Sequence, residues 1–480
     1  MTLLFRALLA VSVLLTLSFG ALAQTPPPPL NGDWTGTLNA GGTALRLVFH
    51  FTPKPDGTLA ATLDSLDQSA MGIVFSTARV SGSAVHLEAA AIGGSFDGTL
   101  DASRKALTGT WQQGGGSLPL TLTRSAQAIK PPPAPVRPQE PKPPFPYLVQ
   151  DVTFPGGAAG VTLAATLTLP PGAGPFPAVV LISGSGPNTR NEAIFGHNPF
   201  LLLADTLTRR GIAVLRYDKR GVGKSTGSYS LATTLDFAAD ASAAVSYLRA
   251  SAKINPKKLG LLGHSEGGLI APLVASQHPS EIAFIVLLAA PGMVGEKIML
   301  AQSALIARAD GATAAKIAQS DTLEKTVFAI TTRETDPVKR ELLVEAATLQ
   351  AVAALSPAER VQLGDPTVYA KVQGRVMTSP WMRFFLTYDP KAALQKTSCP
   401  VLALGGSQDL QVPAQENLAA IASALKTGGN KSVTIKELPG LNHLFQTCTT
   451  GSPSEYAKIT QTMSPKALTL IGDWIVKQSR

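Results

Sequence analysis

The chain changes its hydrophobic rhythm twice. Over residues 31–124, short runs such as GDWTGTL, ALRLVFHF, AVHLEAA, GSFDGTL and ALTGTWQQ alternate apolar with polar positions between Gly, Asp and Ser turns. Such alternation sends side chains to opposite faces of a half-buried strand. About eight runs at this spacing predict a small antiparallel, barrel-like β domain. Side chains usually fill the interior of so small a barrel, so a ligand cavity inside it is the lesser expectation. Gly32–Leu38 is echoed by Gly94–Leu100, but two copies of a generic strand pattern establish no repeat.

The stretch IKPPPAPVRPQEPKPPFP, within 125–146, breaks the pattern and predicts a stiff, solvated polyproline-type linker. Beyond it, VQDVTF, VTLAATLTL, AVVLIS, IAVLRYD, LGLLG, FIVLLAA, PVLALGG and VTIKEL are separated by helical stretches such as TLDFAADASAAVSYLRA. This alternation predicts an α/β domain over 147–480, a mostly parallel sheet flanked by helices. About 110 residues lie between FIVLLAA and PVLALGG, far more than a crossover needs. They are rich in Ala, Leu and Lys with helical periodicity, which predicts an inserted helical cap over about 291–399.

At the N-terminus, MTLLFRALLAVSVLLTLSFGALAQ has an early Arg6, an apolar core and a small-x-small ending at Ala21-Leu22-Ala23. This is the pattern of a signal peptide over 1–23. A membrane anchor needs about 20 apolar residues, and Pro26 to Pro29 follow too soon. The mature protein is therefore expected to be periplasmic or secreted, without stable membrane insertion. Composition adds little: 15% charged and 45% hydrophobic residues are ordinary globular values. The net charge of +9 is scattered without a basic run, so no nucleic-acid partner is implied. The two cysteines, Cys399 and Cys448, are expected at opposite ends of a strand, beyond disulfide reach, as free thiols.

The candidate chemistry begins with an exclusion. In VLRYDKRGVGKSTGSYS, Gly223-Lys224-Ser225 ends like a phosphate-binding loop, but Asp218 occupies the position of its first glycine and would repel the phosphates. Gly184-x-Gly186 likewise begins a dinucleotide fingerprint that fails at Thr189. No nucleotide cofactor is implied.

KLGLLGHSEGGLIAPLVA places Gly263-His264-Ser265-Glu266-Gly267 between an apolar strand and a helix. A serine flanked by glycines in that context is a nucleophile elbow, a turn too tight for neighbouring Cβ atoms. Of the six histidines only His443, in LPGLNHLFQ, follows the last strand, and it is the expected base. The acid expected to orient it is Asp409, in VLALGGSQDLQVP, because Asp389 lies before its strand and Glu437 within one. Two backbone N–H groups should stabilise the developing oxyanion: that of Glu266, and one from LISGSGPNTRNE, with Ser185 the first choice and Gly184 the next.

Together SGSGPNTRNE, YDKRGVGKS, GHSEGG, DLQVP and LNHLFQ resemble the α/β-hydrolase superfamily, in particular bacterial carboxylesterases related to serine aminopeptidases, over 147–480. The resemblance implies that Asp218 and Arg220 anchor loops beside the active site and that Lys224 is a solvated turn residue. Ser183 stands where the family carries a histidine before the oxyanion glycine. The N-terminal β domain lies outside the resemblance.

The expected function is an exported serine hydrolase that cleaves short to medium acyl carboxylic esters through an acyl-enzyme, with a small-molecule ester as partner and no metal or organic cofactor. Nothing in the sequence identifies a protein partner. A serine peptidase or aminopeptidase, or an acyl thioesterase, is the enzymatic alternative, with Glu296, Glu334 or Asp336 of the cap available to hold a substrate amine. The alternative of another class is a non-catalytic binding protein whose β domain captures a polysaccharide or lipid. In the cap, SPWMRFFLTYDP offers Trp381 as a substrate-binding residue, whereas Phe384 and Phe385 are expected to pack cap onto core.

Overall fold

The computed structural model describes residues 30–480 apart from 41–42, 55, 57, 68–69, 90–91, 93, 114–115, 127–135 and 364. The leader expected over 1–23 lies outside the described residues. Strands β1 (Gly32–Ala40), β2 (Thr43–Pro53), β3 (Leu59–Ser65), β4 (Ala70–Val74), β5 (Thr77–Ser81), β6 (Ala84–Ala89), β7 (Gly94–Leu100), β8 (Ala106–Gln113) and β9 (Gly116–Arg124) form one antiparallel sheet, ordered β4-β3-β2-β1-β9-β8-β7-β6-β5.

The run GIVFSTARV, read as one strand in the sequence, supplies two. β4 ends and β5 begins on either side of Phe75 and Ser76, yet they lie at opposite edges of the sheet. A two-residue step can join opposite edges only if the sheet curls until they nearly meet. The concave side is filled by Trp34, Phe49, Leu87, Phe96 and Trp111, all buried. Phe49 sits at the centre, with ring centroids 5.1 Å from Phe75, 5.5 Å from Phe96 and 6.1 Å from Trp111. The indole N–H of Trp34 donates to the Leu30 carbonyl at 3.0 Å. On the other face, His50 lies between Asp33 and Asp64 at 2.7 and 2.9 Å.

The described end of the Pro-rich stretch is docked rather than solvated. Arg137 is buried and donates to the carbonyls of Phe195, Ala457 and Ile459, while Gln139 bonds the backbone of Thr462 and Met463. The planar guanidinium carries five donors and satisfies a cluster of carbonyls that no apolar linker residue could.

The second sheet contains β10 (Leu148–Pro155), β11 (Thr162–Leu169), β12 (Phe176–Ile182), β13 (Ala213–Tyr217), β14 (Ile254–His264), β15 (Phe284–Leu288), β16 (Val401–Gly406) and β17 (Val433–Leu438), in the order β10-β11-β13-β12-β14-β15-β16-β17. The first two pairings are antiparallel and the rest parallel. Its central strands are continuous apolar runs because helices cover both faces. The helices in chain order are α1 (Pro199–Thr208), α2 (Thr234–Arg249), α3 (Gly267–Gln277), α4 (Gly295–Ala309), α5 (Ala314–Arg333), α6 (Pro337–Ala353), α7 (Pro357–Leu363), α8 (Pro366–Met377), α9 (Pro380–Thr387), α10 (Lys391–Lys396), α11 (Ala414–Thr427) and α12 (Pro465–Gln478).

α1 and α12 bury one face of the sheet, and α2, α3 and α11 the other. This is the α/β-hydrolase architecture. Helices α4 to α10 lie between β15 and β16 in the chain, and α9 packs its Phe385 against Leu269 of α3 and Val412. On the far side of the cap, α8 lies against β9 of the N-terminal sheet.

Candidate active site

β12 and β14 are parallel neighbours with Ile182 opposite Gly263, so the chain leaves both strands at the same level. Ser183 to Ser185 therefore run beside the turn that carries Ser265. That turn is sharp: Ser265 has φ +53°, and a Cβ on Gly263 or Gly267 would strike the carbonyls of Gly267 or Ile182 respectively. Apart from Arg104, every non-glycine residue with positive φ among the described residues lies in the loops at this edge: Glu192, Phe195, Ser265, Ala289 and Phe445. Strain held in one place by its surroundings is a mark of functional sites.

β16 and β17 repeat the device, with Gly406 opposite Leu438, so Asp409 and His443 follow adjacent strand ends. One oxygen of Asp409 accepts the N–H groups of Gln411 and Val412, each at 2.9 Å, and the other accepts His443 Nδ1–H at 2.8 Å. The carboxylate can only accept, so Nδ1 carries the proton and Nε2 is the basic nitrogen. No hydrogen bond joins Nε2 to Ser265 Oγ in the structure. Such contacts commonly tighten only in the substrate complex.

Two backbone donors stand free here. Among the described residues, the N–H groups of Ser185 and Glu266 have no acceptor. Gly184 N–H is taken by the Glu192 carboxylate at 2.6 Å. Ser185, not Gly184, thus has the available donor.

Beneath this edge lies a buried polar network that the sequence did not reveal. His264 faces Glu192 through Nδ1 and the His443 carbonyl through Nε2, both at 3.0 Å. Each ring nitrogen therefore faces an oxygen able to accept a hydrogen bond. Burial pushes its pKa down, but Glu192 and that carbonyl outweigh burial and hold it above the usual histidine value. Lys219 Nζ donates to the Gly184 carbonyl at 2.6 Å and to Glu266 Oε2 at 3.0 Å. Glu266 Oε1 accepts from Thr234 at 2.8 Å and from the Trp381 indole at 2.6 Å.

Asp218 pairs with Arg190 at 2.8 Å and accepts the Lys224 N–H, and Arg220 pairs with Asp240 at 2.7 Å. Both anchor loops as the resemblance implied, and the Lys224 side chain is exposed.

Ser185, Ser265 and Glu266 line a cavity of about 140 Å³ whose apolar wall includes Ile298, Met299, Trp381, Phe385 and Val412, with Gln302 and Gln411 as further polar groups. Phe385 stacks on Trp381 at 4.9 Å, so it both packs the cap and lines the cavity. Phe384 stacks on Tyr388 instead. Glu296, Glu334 and Asp336 do not line the cavity. Glu334 pairs with Lys339, and Asp336 caps α6. Asp389 bonds the Lys391 N–H, and His197 is held between Thr462 and the Tyr456 carbonyl. Cys399 and Cys448 are free thiols. Among the described residues, no group of three or more His, Cys, Asp or Glu side chains is arranged to hold a metal, and no helix is long and apolar enough to cross a membrane.

Against known proteins, residues 159–436 match the sequence model of the X-Pro dipeptidyl-peptidase family, S15. Esterase EstD of Thermotoga maritima is 26% identical over 316 residues, and the match covers 66% of this chain and 66% of EstD. The chain thus spans just under two thirds of that relative's length. Among solved structures, Pyrococcus furiosus esterase Pf2001 aligns with a TM-score of 0.42 at 15% identity, over 70% of this chain and 92% of that one. Est1E of Butyrivibrio proteoclasticus, solved with ferulic acid bound, aligns with a TM-score of 0.40 at 19% identity, over 68% and 96%. The protein has the α/β-hydrolase fold, and its chain belongs to the X-Pro dipeptidyl-peptidase (S15) family.

Proposed function

We propose that the protein is a carboxylesterase for short to medium acyl chains, working through Ser265, His443 and Asp409. Ser265 Oγ attacks the ester carbonyl as His443 Nε2 takes its proton, and Asp409 holds the resulting imidazolium in place. The carbonyl oxygen gains charge opposite the N–H groups of Glu266 and Ser185. Collapse expels the alcohol, which receives the proton from His443. Water, deprotonated by the same nitrogen, then releases the acid and restores Ser265.

The observation that carries this reading is the cavity wall. It mixes polar and apolar surface, and its one carboxylate, Glu266, is fully engaged by Lys219, Thr234 and Trp381. A site selecting the free amine of a peptide needs an available anion. Ester cleavage does not, because an alcohol leaves more easily than an amine. The similarity to an enzyme named esterase EstD points the same way. The leader-like residues 1–23 support export to the periplasm or beyond.

The test is a comparison of kcat/KM for a matched butyrate ester, butyryl thioester, aminoacyl amide and Xaa-Pro dipeptidyl amide, since the family is described by X-Pro dipeptidyl-peptidase activity. The ester is expected to lead. An amide ahead of it would replace the esterase with a peptidase.

A further inference from the structure

Lys219 is a buried cation with no part in the chemistry just described. Its side chain is 3% exposed, and that of its partner Glu266 is 1% exposed. Burying an ammonium and a carboxylate is costly unless both are fully hydrogen-bonded. Here they are: Nζ reaches Gly184 O and Glu266 Oε2 and lies 4.4 Å from the centre of the Phe237 ring, while Glu266 Oε1 takes Thr234 and Trp381.

The geometry has a direct link to both free N–H groups. Gly184 C=O and Ser185 N–H belong to one planar peptide unit and point in opposite directions. Holding that carbonyl against Lys219 fixes where the Ser185 N–H points, and a cation on the carbonyl polarises the peptide and strengthens its donor. The second N–H belongs to Glu266 itself, whose side chain is tied down at both oxygens. One ammonium thus joins the two donors, and the indole of Trp381 joins them to the cap.

We propose that Lys219 is a positioning residue of the oxyanion hole, aligning the Ser185 and Glu266 N–H groups, and that Trp381 completes this alignment when the cap is docked. The proposal rests on the serine hydrolase mechanism above but not on the choice of substrate.

The test uses an ester and its thionoester, in which sulfur replaces the carbonyl oxygen and accepts hydrogen bonds weakly. Removing an oxyanion donor outright costs about 10²–10³ in kcat. Lys219→Met, which keeps the stem and loses the charge, is expected to lower kcat for the ester about tenfold to a hundredfold with KM within about twofold, a smaller loss than that bound because the donors themselves remain. The thionoester rate should fall much less, so the ester-to-thionoester ratio drops. Glu266→Gln keeps the backbone N–H and breaks the same ion pair, so it should shift the ratio in the same direction. The double variant should lose less than the product of the single losses. Lys224→Ala, on the same loop, should match wild type.

An unchanged kcat in Lys219→Met, or equal losses on ester and thionoester, would overturn the proposal. Should Lys219→Met fail to fold, an unchanged ratio in Glu266→Gln overturns it instead. Wild-type protein that leaves Ser265 unlabelled by a fluorophosphonate and hydrolyses neither substrate would overturn the mechanism itself, and the proposal with it.

Discussion

The inside of the N-terminal sheet and the space beneath the cap are both lined by aromatic rings, and they end differently. In the sheet, Phe49, Phe75, Phe96 and Trp111 close around one another, and the Trp34 indole finds its acceptor in the same domain. Under the cap, Trp381 and Phe385 stack at 4.9 Å, but the Trp381 indole crosses to Glu266 of the hydrolase body and a cavity remains beside Ser265. Aromatic content alone does not separate a core from a site. The destination of the polar edge does: satisfied at home, the ring is filling; satisfied across an interface, it orders two parts of the molecule relative to each other.

The sharpest way to break this contrast is to remove the chemistry from one region only. Ser265→Ala is expected to abolish hydrolysis and fluorophosphonate labelling, and His443→Ala to lower kcat by about 10⁴-fold or more. The N-terminal sheet should be untouched by either, as read by calorimetry of the unfolding transition. Full labelling of Ser265→Ala would remove the nucleophile from this site.

Next in size is the converse. Phe49→Ala should cost the sheet about 3–5 kcal/mol, the usual cost of truncating a buried phenylalanine. Turnover per folded molecule should stay within about twofold, measured after correcting for the folded fraction. A large loss of turnover would mean that the sheet acts on the cap through the contact of β9 with α8.

A smaller effect sharpens the other side. Trp381→Ala should shift acyl-length preference toward longer chains by about tenfold in the ratio of specificity constants, a magnitude typical of pocket-wall changes. Labelling of Ser265 should persist. An unchanged profile across acetate to octanoate esters would remove Trp381 from the acyl-binding wall.

The smallest effect belongs to the outer face of the sheet. Burial pushes the His50 pKa down, but hydrogen bonds and charge from Asp33 and Asp64 outweigh it and raise the folded-state value. A raised histidine stabilises fully below its unfolded value of about 6.5 and loses that contribution as pH rises through the folded one. The wild-type unfolding midpoint should therefore decline over that interval, and His50→Gln should flatten the decline.

What the sequence made legible was local or ordered along the chain. Gly263-x-Ser265-x-Gly267 announces its own turn, because the glycines are needed within four residues of one another. Asp409 and His443 could be picked out because each follows a strand in a known order. The rest depends on pairings with no local signature. Lys219 meets a carboxylate 47 residues away, and His264 one 72 residues away, and nothing about a lysine between Asp218 and Arg220 distinguishes it from a surface residue. GIVFSTARV hid its division for the same reason: no Gly or Pro interrupts it between Ile73 and Val80, and only the curled sheet separates its two halves.

Arg137 sets a practical limit on how this molecule can be divided. Its guanidinium joins the segment after β12, at Phe195, to the segment after His443, at Ala457 and Ile459. A fragment begun at Tyr147 would keep all eight strands of the catalytic sheet and still leave three carbonyls without their donor. A unit that keeps this contact therefore starts no later than Arg137, inside what its proline content would suggest is disposable tether. Any graft of this catalytic unit onto another module has to carry those residues with it.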